Sequence, residues 1–253
     1  MFDVLFETVQ EGEEKYGSWL LSGLGWTVAL AVAGWLVAFA IGVVVGCART
    51  SSHRPLAVAA RLYVEIFRNI PIIVQMFLWY FVLPELLPEQ LGSAMKKWAP
   101  PWGAFFPALV ALSLYTAARV AEQVKAGIEA LPYGQRSAAR ALGMTELNSY
   151  RLILLPQALR IVLPTLTSEV MGIFKNTSVA LTIGLLELTA QARQINEFTF
   201  KTFQAFGAAT LAYLALALCV FVLMHWIERT LRVPGTEPPS HRRARAKQKQ
   251  RVA

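Results

Sequence analysis

Long uncharged apolar stretches alternate with shorter charged segments along this chain. A helix rises about 1.5 Å per residue, so about 20 apolar residues cross a hydrocarbon core of about 30 Å. The pattern predicts an all-α integral membrane protein with five transmembrane helices, near residues 19–48, 56–83, 103–118, 156–174 and 207–227. The first and last stretches contain no Asp, Glu, Lys or Arg. The second and fourth contain ionisable residues, which indicates that they face protein or a cavity.

Composition supports this class. The chain is 55% hydrophobic and 16% charged, with a mean hydropathy of +0.45. Soluble domains carry about 45–50% apolar and about 25% charged residues. These values argue against a soluble enzyme, and the high apolar content argues against a largely disordered chain.

The net charge of +8 is unevenly distributed. Residues 1–18 are acidic, whereas residues 228–253 hold eight Lys or Arg against two Glu. Because basic residues concentrate on the cytoplasmic side, we expect the carboxyl terminus inside and, with five spans, the amino terminus outside. The chain then divides into an outer segment 1–18, a transmembrane domain 19–232 and a basic disordered cytoplasmic tail 233–253. The same rule explains the basic pI, so no nucleic-acid partner is expected.

Residues 132–155 are too polar to span a bilayer. They predict two short helices: one that stops at Gly143, and a second that begins near Thr145 and is closed by Pro156. Read from these residues alone, the segment is either a docking element for a partner or an amphipathic helix lying on the bilayer.

The spacing within this segment resembles the "EAA" signature of bacterial ABC importer permeases, although Ser137 stands where the family has glutamate. The matching positions are Ala138, Ala139, Gly143, Ile153, Leu155 and Pro156. The resemblance implies a type I ABC importer permease (MetI-like) fold with a cytoplasmic coupling helix that docks on an ATPase. The positions it assigns to that contact are Ser137, Ala138, Ala139, Leu142, Gly143 and Leu155.

Two more elements are similar to the polar amino-acid permeases of this family: residues 67–75 resemble "FRGTPLLVQ" and residues 174–180 resemble "LKxTSL". Residues 115–127 and 184–191 are most similar to the glutamate/aspartate branch. The resemblance implies an inner-membrane permease for acidic amino acids. It also implies an ABC ATPase subunit dimer, a second permease subunit (a paralogue or another copy) and a periplasmic amino-acid-binding protein.

Three residues are the main candidates for substrate contact. Glu169 lies inside the fourth span and is predicted to receive the substrate ammonium, and Asn176, seven residues on, returns to the same helix face and would meet the side chain. Arg119 offers a planar fork suited to a carboxylate. Two alternatives stay open: Glu169 forms a structural ion pair, and Arg119 reaches the membrane interface or pairs with Glu122.

The second span supplies two further candidates, Asn69 and Gln75. Pro71 is predicted to break this span and to free backbone groups near Asn69, where substrate polar groups could bind. In the first span, Gly42 and Gly46 form a GxxxG pattern that predicts a close helix contact.

No nucleotide-binding G-x-x-x-x-G-K-[ST] run occurs, so we expect a transport subunit without an ATP site, a cofactor or a metal. Three rivals stay open: a permease for glutamine or another polar amino acid, a stand-alone channel or ion-driven transporter, and a membrane-anchored enzyme. The enzyme would need a catalytic cluster, and the sequence offers none.

Overall fold

The computed structural model describes residues 2–9 and 14–231. The predicted tail 233–253 and part of the predicted outer segment lie outside these residues. Helices make up almost all of the described chain. The α-helices are α1 (Tyr16–Arg49), α2 (Arg54–Asn69), α3 (Ile72–Phe77), α4 (Leu83–Leu86), α5 (Glu89–Lys96), α6 (Trp102–Glu129), α7 (Tyr133–Ala141), α8 (Glu146–Ser149), α9 (Leu155–Asn176), α10 (Leu188–Thr199) and α11 (Thr202–Leu231).

Four shorter helical segments complete the described fold. Two are 3₁₀ helices, at Asp3–Phe6 and Thr177–Ile183. Two are π-helical turns, at Leu78–Val82 and Tyr150–Leu154. Both π-helical turns lie immediately before a helix with proline in its first turn. A π turn relieves the clash between a proline ring and the preceding turn, so the helix continues past each proline.

Helix α6 is the centre of the bundle and packs against α1, α9 and α2. Its contact with α1 is the most extensive, and small residues make it close. A Cβ on Gly42 would lie 2.6 Å from Cβ of Val120, and one on Gly46 would lie 2.7 Å from Cβ of Val124. The GxxxG pattern is therefore a helix contact, as predicted. Close backbone approach replaces the hydrophobic driving force that is missing inside a bilayer.

The second predicted span is broken. Ile70 is extended and Pro71 is the N-cap of α3, and the axes of α2 and Ile72–Leu86 differ by 104°. Pro71 has no N–H to donate to the carbonyl of Phe67, and its ring disfavours a helical conformation at Ile70. The predicted break at Ile70-Pro71 is confirmed.

Among the described residues, three helices are individually long and apolar enough to cross a membrane: α1, α6 and α11. The broken pair of α2 and Ile72–Leu86 meets the same criteria only when taken together. Helix α9 has the required length but carries Arg160, Glu169 and Lys175. The all-α membrane architecture is as predicted, and the count of five spans stays a prediction.

The segment 132–155 forms two helices around a glycine turn. Helix α7 ends before Gly143, whose φ of 72° favours glycine, and the Thr145 side chain accepts the N–H of Asn148 to cap α8. The expectation that Pro156 ends the second helix is wrong. The π turn before it keeps α8, Tyr150–Leu154 and α9 continuous.

The close contact between α1 and α6 predicts that alanine substitution at two glycines of α1 has different effects on stability. Gly42→Ala places a methyl group against Val120 and 2.9 Å from the carbonyl oxygen of Ala117, so we expect the free energy of unfolding to fall by about 1–3 kcal/mol. Gly25→Ala meets nothing within 4 Å and should leave stability unchanged or raise it slightly. Unfolding in detergent measures both. Equal stability of the two variants contradicts the contact.

Candidate functional site

An ion pair joins α6, the central helix of the bundle, to α9. Nε of Arg119 on α6 lies 2.6 Å from Oε2 of Glu169 on α9, and Nη2 lies 3.2 Å from Oε1. The contact is bidentate, and this geometry is the strongest that a carboxylate and a guanidinium form. Sequence analysis predicted that these two residues bind the two charged groups of a substrate separately. In the structure they form an ion pair with each other.

The two partners differ in accessibility. The Glu169 side chain is 8% exposed, whereas that of Arg119 is 46% exposed and also lies over the ring of Tyr115. An ionised carboxylate buried in this way needs a partner, because burial without one costs several kcal/mol. Arg119 supplies that partner from the more exposed side of the pair.

A second charged cluster lies one helical turn along α6. Glu122 pairs with Arg49 of α1 and, at 3.0 Å, with Arg68 of α2. The alternative in which Arg119 pairs with Glu122 is therefore wrong: Glu122 takes two other arginines, and Arg119 takes Glu169. Both acids thus have a cationic partner on a neighbouring helix.

Gln75 bridges the break in the second span. Its Nε2 donates to the carbonyl oxygens of Phe67 at 2.9 Å and Ile70 at 3.0 Å. The carbonyl of Phe67 is the one that Pro71 leaves without its helical donor. The amide of Asn69 donates to the carbonyl of Glu65 at 2.7 Å. The amide donors of both predicted site residues are thus bonded to the backbone, while Oε1 of Gln75 is buried without a hydrogen-bond partner among the described residues.

Asn176 lies two turns along α9 from Glu169. This spacing places both on one face, about 10 Å apart along the axis. Asn176 is half-buried and is the last residue of α9, immediately before the 3₁₀ helix Thr177–Ile183. Its position therefore extends the line from the ion pair toward the end of α9.

The segment 132–155 exposes large apolar side chains, although it is otherwise polar. Tyr133 is 87% exposed, Leu142 79% and Leu147 75%. Of the positions assigned to ATPase contact, Ser137, Ala138 and Gly143 are exposed, Leu155 is half-buried and Ala139 is buried. Ala139 thus packs inside, and most of the other assigned positions are exposed, in a segment that also exposes large apolar side chains.

Glu146 in this segment accepts the backbone N–H of Ser52 at 3.0 Å and pairs with Arg136 at 3.0 Å. The Ser52 N–H and the Arg136 guanidinium hold the pKa of Glu146 below its usual value. Burial raises the pKa of Tyr150, whose hydroxyl lies 2.9 Å from Oγ1 of Thr50. Sequence reasoning missed this cluster, because its members are up to 100 residues apart in the chain.

The described chain is thus a helical bundle of the kind that spans a membrane, with ion pairs between its helices and an exposed pair of short helices around a glycine turn. Residues 38–233 match the family of binding-protein-dependent transport system inner membrane components, and the chain belongs to that family. Membership in this family favours the importer subunit over the stand-alone channel and the membrane-anchored enzyme.

Curated relatives cover nearly the whole chain. The glutamate/aspartate import permease protein of Escherichia coli strain K12 is 44% identical over 225 residues, which is 88% of this chain and 92% of that protein. The nopaline transport system permease protein of Agrobacterium fabrum is 36% identical over 225 residues, covering 87% of this chain and 92% of that one.

Solved structures share the fold. An amino acid ABC transporter crystallised with histidines matches with a TM-score of 0.71 and 30% identity, over 85% of this chain and 95% of that one. An inward-facing methionine ABC transporter matches with a TM-score of 0.67 and 21% identity, over 85% and 97% of the two chains. The type I importer permease fold predicted from the sequence is confirmed.

The brace at the broken span predicts a cost for losing the Gln75 amide. Gln75→Leu keeps a similar volume but leaves the Phe67 carbonyl without its donor, so we expect a loss of about 1–3 kcal/mol in unfolding free energy. Gln90→Leu, on the exposed face of α5, is the matched control and should change little. Thermal unfolding in detergent compares them. A Gln75→Leu variant as stable as Gln90→Leu contradicts the brace.

Proposed function

We propose that this chain is the permease subunit of an ATP-driven importer for acidic amino acids, glutamate and aspartate, and that Arg119 and Glu169 bind the substrate. The observation that carries the proposal is the bidentate ion pair between these two residues. The relative that is 44% identical, named a glutamate/aspartate import permease, supports the substrate class.

An exchange of partners explains how the pair would serve transport. The α-ammonium of an amino acid replaces Arg119 at the Glu169 carboxylate, and a substrate carboxylate replaces Glu169 at the Arg119 guanidinium. Neither charge is left unpaired at any stage, which lowers the cost of admitting a charged solute into a bilayer. Arg119 is half-exposed and so can be approached first.

A neutral amide suits the remaining substrate carboxylate. Asn176 lies on the Glu169 face of α9 and avoids the repulsion that an aspartate would impose. Asn69 and Gln75 complete the proposed pathway at the broken span, where Oε1 of Gln75 is free to accept a hydrogen bond. These three residues would contact the substrate after the ion pair has opened.

The segment 132–155 is proposed as the coupling segment that receives motion from an ABC ATPase dimer. Its exposed Tyr133, Leu142 and Leu147 would lie in the ATPase surface, together with Ser137, Ala138, Gly143 and Leu155. The full importer would add a second permease subunit and a periplasmic amino-acid-binding protein. The basic carboxyl-terminal sequence supports a cytoplasmic carboxyl terminus and an outer amino terminus.

The test is uptake and ATP hydrolysis by the assembled importer in proteoliposomes, with its binding protein loaded with glutamate, aspartate, glutamine or histidine in turn. We expect the two acidic amino acids to drive both activities most strongly. Arg119→Gln should lower glutamate uptake about 10- to 100-fold, the value of one charge-assisted hydrogen-bonded contact.

Arg61→Gln is the matched control, because Arg61 is an exposed arginine on the neighbouring helix α2. It should retain uptake. Equal uptake by the Arg119→Gln and Arg61→Gln variants removes Arg119 from the substrate site. Equal stimulation by glutamine keeps the importer and removes its selectivity for acidic amino acids.

A further inference from the structure

The turn between α1 and α2, residues 50–53, is held by the coupling segment. The backbone N–H of Ser52 donates to Oε1 of Glu146 at 3.0 Å. Nη2 of Arg136 donates to the backbone carbonyl of Thr50 at 3.0 Å. Both contacts use backbone groups of the turn, so they fix the position of the turn itself as well as that of its side chains.

Further side-chain contacts stabilise the position of the turn against the coupling segment. Nη2 of Arg136 lies 3.0 Å from Oε1 of Glu146 and 3.1 Å from the Tyr150 hydroxyl, and the guanidinium lies over the Tyr150 ring. That hydroxyl also bonds Oγ1 of Thr50. Nη2 of Arg140 donates to Oγ of Ser52 at 3.2 Å. Glu146 thus joins the turn to Arg136.

We call these contacts, between residues 50–53 and Arg136, Arg140, Glu146 and Tyr150, the clasp. The connectivity of the chain indicates what the clasp can do. Helix α6 runs almost directly into the coupling segment, and α8 continues through the π turn into α9. Motion of the segment therefore reaches α6 and α9 through the backbone. Helices α1 and α2 have no such covalent link to it. Among the described residues, their turn meets the segment through the hydrogen bonds of the clasp, and Cys47 of α1 packs against the apolar cluster that contains Tyr150 and Leu154.

The far side of the turn is anchored as well. Arg49, next to Thr50, has a side chain that is 10% exposed and pairs with Glu122 of α6, which also pairs with Arg68 of α2. A displacement of the turn is thereby passed to both helices that it joins.

We propose that the α1–α2 turn is a second transmission contact, through which the coupling segment moves α1 and α2, and that Glu146 is its positioning residue. ATP-driven motion then carries four helices together, two through the backbone and two through the clasp. This inference rests on the proposed coupling role of residues 132–155. It does not depend on which amino acid is carried.

The test compares variants of the complete importer in proteoliposomes and measures substrate molecules taken up per ATP hydrolysed. Glu146→Ala removes the acceptor of the Ser52 N–H and the partner of Arg136, which weakens the hold on the turn, so we expect this ratio to fall about 3- to 10-fold, in the range seen for residues that carry coupling. Glu146→Gln still offers an oxygen to Ser52 and should keep most of the ratio. Glu129→Ala is the matched control and should keep all of it, because Glu129 is an exposed acid whose ion-pair partner among the described residues is Lys125 on its own helix.

Tyr150→Phe separates the clasp from direct ATPase contact, because Tyr150 is buried and cannot touch a partner. It should lower the ratio in the same direction. The Glu146→Ala, Tyr150→Phe double variant should be no worse than Glu146→Ala alone, because both act on one turn.

An unchanged ratio in both Glu146→Ala and Tyr150→Phe overturns the inference and leaves the proposed function intact. A lowered ratio in Glu146→Ala with an unchanged ratio in Tyr150→Phe also overturns it, since the acid would then act on the ATPase itself. Loss of selectivity for acidic amino acids with the ratio still sensitive to Glu146 removes the Arg119 assignment and supports the clasp.

Discussion

The cost of an unpaired charge inside a bilayer constrains the whole arrangement of α6. This helix carries Arg119 and Glu122 in a largely apolar bundle, and each is matched by a residue of another helix. An isolated ionised group at such a depth costs several kcal/mol, so the helices that supply the partners cannot be placed independently of α6. The ion pairs therefore help to fix which helix lies against which, together with the close approach at Gly42 and Gly46.

The same constraint can make a stable ion pair a transport site. A pair that holds two helices together must open when a charged solute passes, and the solute itself can supply the missing charges. An amino acid carries both signs and so can replace each partner of Arg119 and Glu169 at once. A solute of one sign would leave one member unpaired. Electrostatics thus gives a physical reason for preferring a zwitterionic substrate at this site, independent of the relatives' names.

Much of the architecture could be predicted from the sequence because bilayer dimensions and proline chemistry act locally. The break at Ile70-Pro71, the glycine turn at Gly143 and the contact at Gly42 all follow from single residues and their neighbours. The Pro156 prediction failed, because a preceding π turn relieved the local constraint. The long-range partners were beyond sequence reasoning: Glu169 forms an ion pair with a residue 50 positions away, and the Tyr150 hydroxyl forms a hydrogen bond with one 100 positions away.

Two groups of charged residues lie about one helical turn apart on α6, and each joins α6 to other helices. The cluster around Glu122 joins α6 to α1 and α2, and the ion pair of Arg119 with Glu169 joins α6 to α9. Because Arg119 and Glu122 are three residues apart on one rigid helix, a rotation of α6 that strains one cluster strains the other. In the proposed transport cycle, a displacement at the α1–α2 turn and the opening of the Arg119–Glu169 pair would therefore be linked through a single turn of α6. This proposed linkage does not require a long series of side-chain contacts between the coupling segment and the Arg119–Glu169 pair.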